Sequence, residues 1–263
     1  MLIVERQLKA IEILQQRKTV QLEELSRELG VSVSTIRRDV EQFEQQGMVE
    51  RTHGGVIYRG PEPQESARIG HSGSHGERMS EFVDQKKAIG KQAATLVKPQ
   101  MTVLMDGGST VVYAAMQITA RPIQVVTNSL VIANLFADDE QIELLMIGGN
   151  LYPRTGVTIG PIANGCLADL HADLLLFSVA GFLDGAAYNV NMTMAEVEQS
   201  MMRQASTCAL LMDSNKFGRK SLVRVCGAEE LDHIITDSDI DQSWRDQLGD
   251  RLTVAPIESA PQQ

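Results

Sequence analysis

Apolar residues at Leu22, Leu25, Leu29, Val33, Ile36, Val40 and Phe43 recur in steps of three and four, the spacing that gathers side chains on one side of an α-helix. The stripe is interrupted at Gly30-Val31-Ser32. Gly30 suits the left-handed conformation that ends a helix, and Ser32 suits the hydroxyl cap that starts the next. Two helices joined by so short a turn cross steeply, and Ser26 is small enough to let them approach. With Leu25, Leu29, Val31, Ile36 and Val40 as core positions, the stretch predicts a helix-turn-helix. An earlier helix over 3–16 brings Leu8, Ile11, Ile13 and Leu14 to cover it. Gly47 stops the second helix. Met48 to Tyr58 then gives two short strand-like runs around Gly54-Gly55, which predicts a wing.

Beyond the wing the period changes. From Gly60 to Asp84 the sequence is rich in Gly, Ser, Pro, His and charges, the composition of an interdomain linker, with some helix expected near its end. Helical runs then appear over 86–97, 111–118, 130–137, 161–170, 194–205 and near 241–248. Strand-like runs alternate with them over 101–106, 123–127, 142–147, 174–180, 208–212, 222–225, 233–236 and 252–255. Short apolar strands between helices predict an α/β domain whose sheet is covered on both faces. The predicted organisation is a winged helix-turn-helix over 1–59, a linker over 60–84, an α/β domain over 85–257 and a frayed tail over 258–263.

A chain of 263 residues with 43% apolar content has material for roughly two domains. Its net charge of −10 sits badly with nucleic-acid binding until it is divided. Residues 1–60 carry nine Lys or Arg and nine Asp or Glu; the remainder carries fifteen basic and twenty-five acidic residues. An acidic body repels a phosphate backbone, so only the N-terminal unit is expected to approach a duplex. Cys166, Cys208 and Cys226 are odd in number and form no CxxC, which predicts buried free thiols in a reducing cytoplasm. The opening MLIVERQLKAIEILQQ lacks the apolar stretch and cleavage site of a signal peptide. No apolar run reaches the ~18 residues that suggest a membrane span. The expected location is the cytoplasm, with no membrane partner.

The solvent side of the second helix of the motif gathers Ser32, Ser34, Thr35, Arg37 and Arg38 in its first two turns. A recognition helix enters the major groove with such residues toward the base edges. Arginine pairs bidentately with guanine, and serine or threonine serves bases or phosphates. Arg51 and His53 near the wing tip are further candidates for the DNA backbone or minor groove. A solvent-exposed turn residue is an equally good account of His53.

In open α/β sheets, ligands collect beyond the carboxyl ends of the strands. Asp106-Gly107-Gly108-Ser109-Thr110, Thr127-Asn128-Ser129 and Gly148-Gly149-Asn150 each follow a predicted strand. Glycines let a backbone approach closely, and helix N-termini and hydroxyls offer donors. Three such loops in one domain predict an anionic, hydroxyl-bearing ligand. Arg154 and Lys216 are the candidate cations, and Asp106 is a candidate acceptor for ligand hydroxyls. His71 and His75 stand four apart, but Ser72-Gly73-Ser74 is a poor helix and two histidines fall short of a metal's three or four ligands. No metal and no cofactor are expected.

TIRRDV at Thr35–Val40 followed by GMVERTHGGV at Gly47–Val56 resembles the signature of the DeoR-type bacterial transcriptional regulators. DGGST, TNSLVIANLF, IGGNLYPRTGVTIGP, LLMDSNKFG and IITD also fall in that family's order, so the resemblance covers nearly the whole chain. It implies a winged helix-turn-helix joined to an α/β sugar-phosphate sensor resembling ribose-5-phosphate isomerase. It also implies a phosphorylated sugar held by Asp106, Gly107, Gly108, Ser109, Thr110, Thr127, Asn128, Gly148, Gly149, Arg154 and Lys216. Ser109 stands where many relatives have a second threonine, and it keeps the hydroxyl. The partners expected are double-stranded operator DNA, the sugar effector and further copies of the chain as a dimer or tetramer. The function expected is a repressor of a carbohydrate catabolic operon, released from DNA by its effector. The alternative is an isomerase-like enzyme fused to a DNA-binding domain, with Asp106 or Glu196 as base and Lys216 polarising a carbonyl. A DNA reader makes the sensor the more economical account, so no residue is assigned as catalytic.

Overall fold

The computed structural model describes residues 3–45, 48–52, 54–58 and 75–258. They form two units divided at Phe82, with Gly76–Glu81 grouped with the first. In the first unit, α1 (Ile3–Arg17) leads through β1 (Thr19–Gln21) into α2 (Leu22–Leu29) and α3 (Val33–Gln45), followed by β2 (Val49–Arg51) and β3 (Gly55–Tyr58). Gly30 ends α2 in the left-handed conformation, at φ 65°. Ser32 Oγ accepts the Thr35 N–H at 3.2 Å and so caps α3. Ser26 does more than leave room. Its hydroxyl donates to the Val31 carbonyl at 2.5 Å, while the Val31 N–H returns to the Ser26 carbonyl at 3.1 Å. Leu14, Leu25, Leu29, Ile36, Val40 and Phe43 are buried in one cluster, with Val31 packed at its edge.

The wing is a three-stranded antiparallel sheet in the order β1-β3-β2. Its first strand was not legible in the sequence. Three residues carry no periodicity, and Thr19–Gln21 is a strand because it pairs with Gly55–Ile57. A short helix, α4 (His75–Ser80), lies within the predicted linker.

The second unit is built on a seven-stranded parallel sheet. Its strands are β4 (Thr102–Met105), β5 (Ile123–Thr127), β6 (Ile142–Met146), β9 (Ala172–Phe177), β12 (Ala205–Leu211), β14 (His233–Asp237) and β15 (Leu252–Ala255). Their order is β15-β14-β12-β9-β4-β5-β6. From β4 the chain winds one way through β5 to β6. From β9, the other neighbour of β4, it winds the opposite way. The β4/β9 boundary is therefore the topological switch point, the place where open α/β sheets bind ligands beyond the strand ends. The connecting helices are α5 (Val83–Ala94), α6 (Ser109–Ala115), α7 (Leu130–Phe136), α8 (Pro161–Leu167), α9 (Met192–Arg203) and α10 (Gln242–Leu248). At Gly90 of α5 an added Cβ would stand 2.7 Å from the Tyr113 carbonyl group of α6, so glycine is what lets these two helices meet.

Two small antiparallel elements were not expected. One is the hairpin of β7 (Asn150–Tyr152) and β8 (Val157–Ile159). The other is a sheet of β10 (Gly181–Leu183), β11 (Ala186–Asn189) and β13 (Val223–Gly227) in the order β10-β11-β13. The run predicted over 222–225 thus leaves the main sheet and pairs with β11. Cys208 and Cys226 are buried as expected, and burial pushes their thiols up to about 11 and about 12. Cys166, on α8, is exposed, contrary to expectation.

Candidate DNA-reading face and effector site

On α3, Ile36 and Val40 turn into the core, and the steps between them leave Arg37 and Arg38 outside. Both arginines are exposed, and neither side chain makes a hydrogen bond or ion pair among the described residues. Ser32 and Ser34 are exposed, Thr35 is half-buried, and the three hydroxyls meet at 2.8 Å around the start of the helix. Asp39 points the other way. It is 4% exposed and accepts from Arg6 Nε at 2.7 Å, Arg6 Nη2 at 3.1 Å and Gln7 Nε2 at 3.0 Å. This buried pair fixes α3 about its own axis against α1, and with it the direction of Arg37 and Arg38. Arg51 is exposed but engaged: Nη1 lies 3.2 Å from Glu41 Oε1 and 3.7 Å from Glu44 Oε2, tying the wing to the end of α3. His53 lies outside the described residues, as does His71.

In the second unit the loop after β4 is locked to the loop after β9. Both oxygens of Asp106 accept main-chain N–H groups, Oδ1 from Gly108 and Oδ2 from Ser178 at 3.0 Å. Asp106 therefore holds the two sides of the switch point together. Gly107 and Gly108 are required by protein neighbours, since an added Cβ would stand 2.1 Å from Val157 Cγ1 and 2.6 Å from Ser178 Cβ. Thr127 Oγ1 donates to the Met105 carbonyl and accepts from the Ser129 N–H, fastening the next loop to β4. Asn128 Nδ2 donates to the Thr158 carbonyl at 3.1 Å. Gly148 is open on its Cβ side to Ile162 alone at 3.9 Å, whereas at Gly149, φ 142°, an added Cβ would stand 2.9 Å from the Ile159 carbonyl and 3.2 Å from Ala163 of α8. Arg154 is exposed in the turn of the β7–β8 hairpin.

Lys216 is buried in the turn after β12. Its Nζ donates to Ser178 Oγ at 3.0 Å and lies 4.0 Å from Asp213 Oδ2. The turn is anchored by Phe217, whose ring packs against Phe182 at 5.6 Å and Trp244 at 5.3 Å. Buried side-chain atoms with no hydrogen-bond partner in the protein collect along this strand-end edge: Thr110 Oγ1, Asn128 Oδ1, both Asp213 carboxylate oxygens and Thr236 Oγ1. Buried polar groups are nearly always paired in native proteins. So many unpaired ones at the carboxyl edge of one sheet fit a polar ligand.

Two residues of the candidate site escaped sequence reading. Ser178 was hidden because the β9 run looks strand-like through Ala180. Glu198 was passed over for Glu196. Two steps along a helix turn a side chain through about 200°, so Glu196 faces solvent and Glu198 is buried. Glu198 Oε1 accepts from Asn189 Nδ2, and its carboxyl is held well above the usual range by burial first and then by the charge of Asp106, with Lys216 opposing. Among the described residues no cluster of three or more His, Cys, Asp or Glu is arranged to hold a metal, and no helix is long and apolar enough to cross a membrane.

Residues 6–61 match the DeoR-like helix-turn-helix domain, and residues 81–238 match the DeoR C-terminal sensor domain. The chain belongs to the DeoR family. DeoR-family relatives include the transcriptional regulator GolR of Listeria innocua, 30% identical over 91% of this chain and 92% of that protein. The L-fucose operon activator of Escherichia coli is 31% identical over 88% of this chain and 94% of that protein. Among solved structures, ribose 5-phosphate isomerase A of Methanocaldococcus jannaschii is similar at 16% identity and TM-score 0.38, over 52% of this chain and 56% of that one. The DeoR assignment makes the first unit a DNA-binding domain and the second a sensor.

Proposed function

We propose that this DeoR-family chain is a cytoplasmic repressor of a carbohydrate catabolic operon, that its effector is a phosphorylated sugar, and that it acts as a homo-oligomer without catalysis. Paired recognition helices would occupy operator half-sites, as two-fold readers do. Arg37 and Arg38 would contact bases or phosphates, with Ser32, Ser34 and Thr35 seating the helix and Arg51 and His53 serving the wing. The observation that carries the sensor half is Lys216. It is a buried cation held by Ser178 and Asp213 in the turn after β12, and Ser178 is in turn held by Asp106 at the switch point of an acidic domain. A phosphate dianion brought there gains a charge-assisted partner and donors from the 107–110 loop. The sugar's hydroxyls meet the remaining acceptors. Thr127, Asn128, Gly148 and Gly149 form the neighbouring wall, and Arg154 would reach the ligand only from the hairpin turn.

Release requires that the sugar phosphate bind the non-DNA-binding arrangement more tightly. A coupling of about 1–3 kcal/mol corresponds to a 5–150-fold loss of operator affinity. Repression fits an operon whose enzymes are needed only when their sugar is present. The opposite sign is favoured by the E. coli relative's name as an activator. Fluorescence anisotropy on the promoter fragment, titrated with a phosphosugar panel, separates the two. A sugar that raises operator affinity reverses the sign, and none that changes it defeats the effector reading. Lys216→Ala should raise the concentration needed for the response at least tenfold.

A further inference from the structure

Glu198 is 4% exposed, and its two oxygens are treated differently. Oε1 accepts from Asn189 Nδ2, while Oε2 has no hydrogen-bond partner in the protein. The orientation of that amide is fixed, because Asn189 Oδ1 accepts the Val190 N–H at 2.8 Å and leaves Nδ2 to face Glu198. Asn189 is itself held in register by the pairing of β11 with Val223 of β13. A carboxyl kept only for architecture would have both oxygens engaged, as those of Asp106 are. Here one oxygen is positioned and the other is left over. The Tyr188 carbonyl accepts the Ala180 N–H at 2.9 Å, which sets Asn189, and Glu198 with it, beside the loop whose Ser178 is held by Asp106 and Lys216. The charge of Glu198 in turn helps to raise the thiol of Cys226 on β13, behind burial and Glu230.

We propose that Glu198, oriented by Asn189, reads the hydroxyl or carbonyl oxygens on the carbon chain of the effector, so that the sensor site has a phosphate end at Lys216 and a sugar-discriminating end at Glu198. This deepens the phosphosugar reading and rests on it. With a proton on Oε2 the carboxyl donates to a ligand oxygen while Oε1 stays on Asn189. Glutamine reproduces that pattern, with Oε1 accepting and Nε2–H donating. Leucine removes it at similar volume. Glu198 therefore governs which sugar is taken, and Lys216 governs that a phosphate is taken.

The test uses the full-length protein and isothermal titration against glucose 6-phosphate, fructose 1-phosphate, fructose 6-phosphate, tagatose 6-phosphate, ribose 5-phosphate and inorganic phosphate. The tightest sugar for the wild type should bind Glu198→Leu at least tenfold more weakly, with the preference among sugars flattened and the affinity for inorganic phosphate moved less than threefold. Glu198→Gln should keep the wild-type ranking. A folded Glu198→Leu that keeps both affinity and ranking overturns the proposal. Should that variant fail to fold, Asn189→Ala carries the same expectation, and an unchanged ranking there overturns it equally. A wild type that binds none of these sugars brings down the phosphosugar reading itself, a result visible before any variant is made.

Discussion

Asp39 offers a quantitative handle on how the reading helix is held. Its side chain is 5% exposed and that of Arg6 is 11% exposed, and three hydrogen bonds converge on the carboxylate. Asp39→Ala leaves the guanidinium buried beside a methyl group. Breaking one partner of a buried pair typically costs 3–5 kcal/mol. Because Arg6 is only partly buried, the low end applies, about 3 kcal/mol. At about 1.4 kcal/mol per factor of ten, the opening equilibrium of α1 and α3 should rise about 150-fold. Amide hydrogen exchange on the full chain measures this directly, since local opening free energies are read peptide by peptide. Peptides from α1 and α3 should lose about two orders of magnitude of protection. Peptides from α5, in the other unit, provide the internal reference and should stay as they are. Removing both charges in Arg6→Met/Asp39→Ala should restore much of the protection, because an isolated buried charge is worse than none. Operator affinity should follow the same order. A change of less than threefold in α1 and α3, or an equal loss in α5, would refute the idea that this pair fixes the recognition helix.

Three other outcomes are expected. Arg37→Ala should weaken specific operator binding by about 1–3 kcal/mol, five- to 150-fold, if its guanidinium reads a base edge; an unchanged footprint removes it from the reading surface. Gly90→Ala forces a methyl to 2.7 Å from the Tyr113 carbonyl group; overpacking of about 1–3 kcal/mol should lower the sensor's melting temperature by roughly 2–12 °C, and an unaltered melt would mean that α5 and α6 separate freely. Glu198→Gln tests a proton. The folded-state carboxyl is raised above its ordinary value of 4.5, so the native state holds the proton more tightly. The stability it contributes is complete below about 4.5 and fades as pH rises through the folded value. The wild-type sensor should therefore lose stability relative to Glu198→Gln as pH climbs from 4.5, and parallel melting curves across that range would show that Glu198 ionises freely when folded.

The helix-turn-helix was legible residue by residue because its determinants are neighbours. A three-and-four apolar stripe, a glycine that takes φ 65° and a serine whose hydroxyl caps three residues on all act within a turn or two of chain. The same locality exposed the polar loops at 106–110 and 127–129, since a loop that follows a parallel strand comes out at one edge of the sheet whatever the strand order. Which strands become neighbours is decided by packing between residues far apart in sequence, and this is where local pattern stops. It could not show that β4 and β9 would meet at the switch point, that Asp106 would spend both oxygens on the main chain, or that 222–225 would leave the main sheet for β11. Nor could it choose between Glu196 and Glu198, which differ only in the face of α9 they occupy. That face was settled when α9 packed onto the small sheet, leaving one carboxylate in water and burying the other beside Asn189.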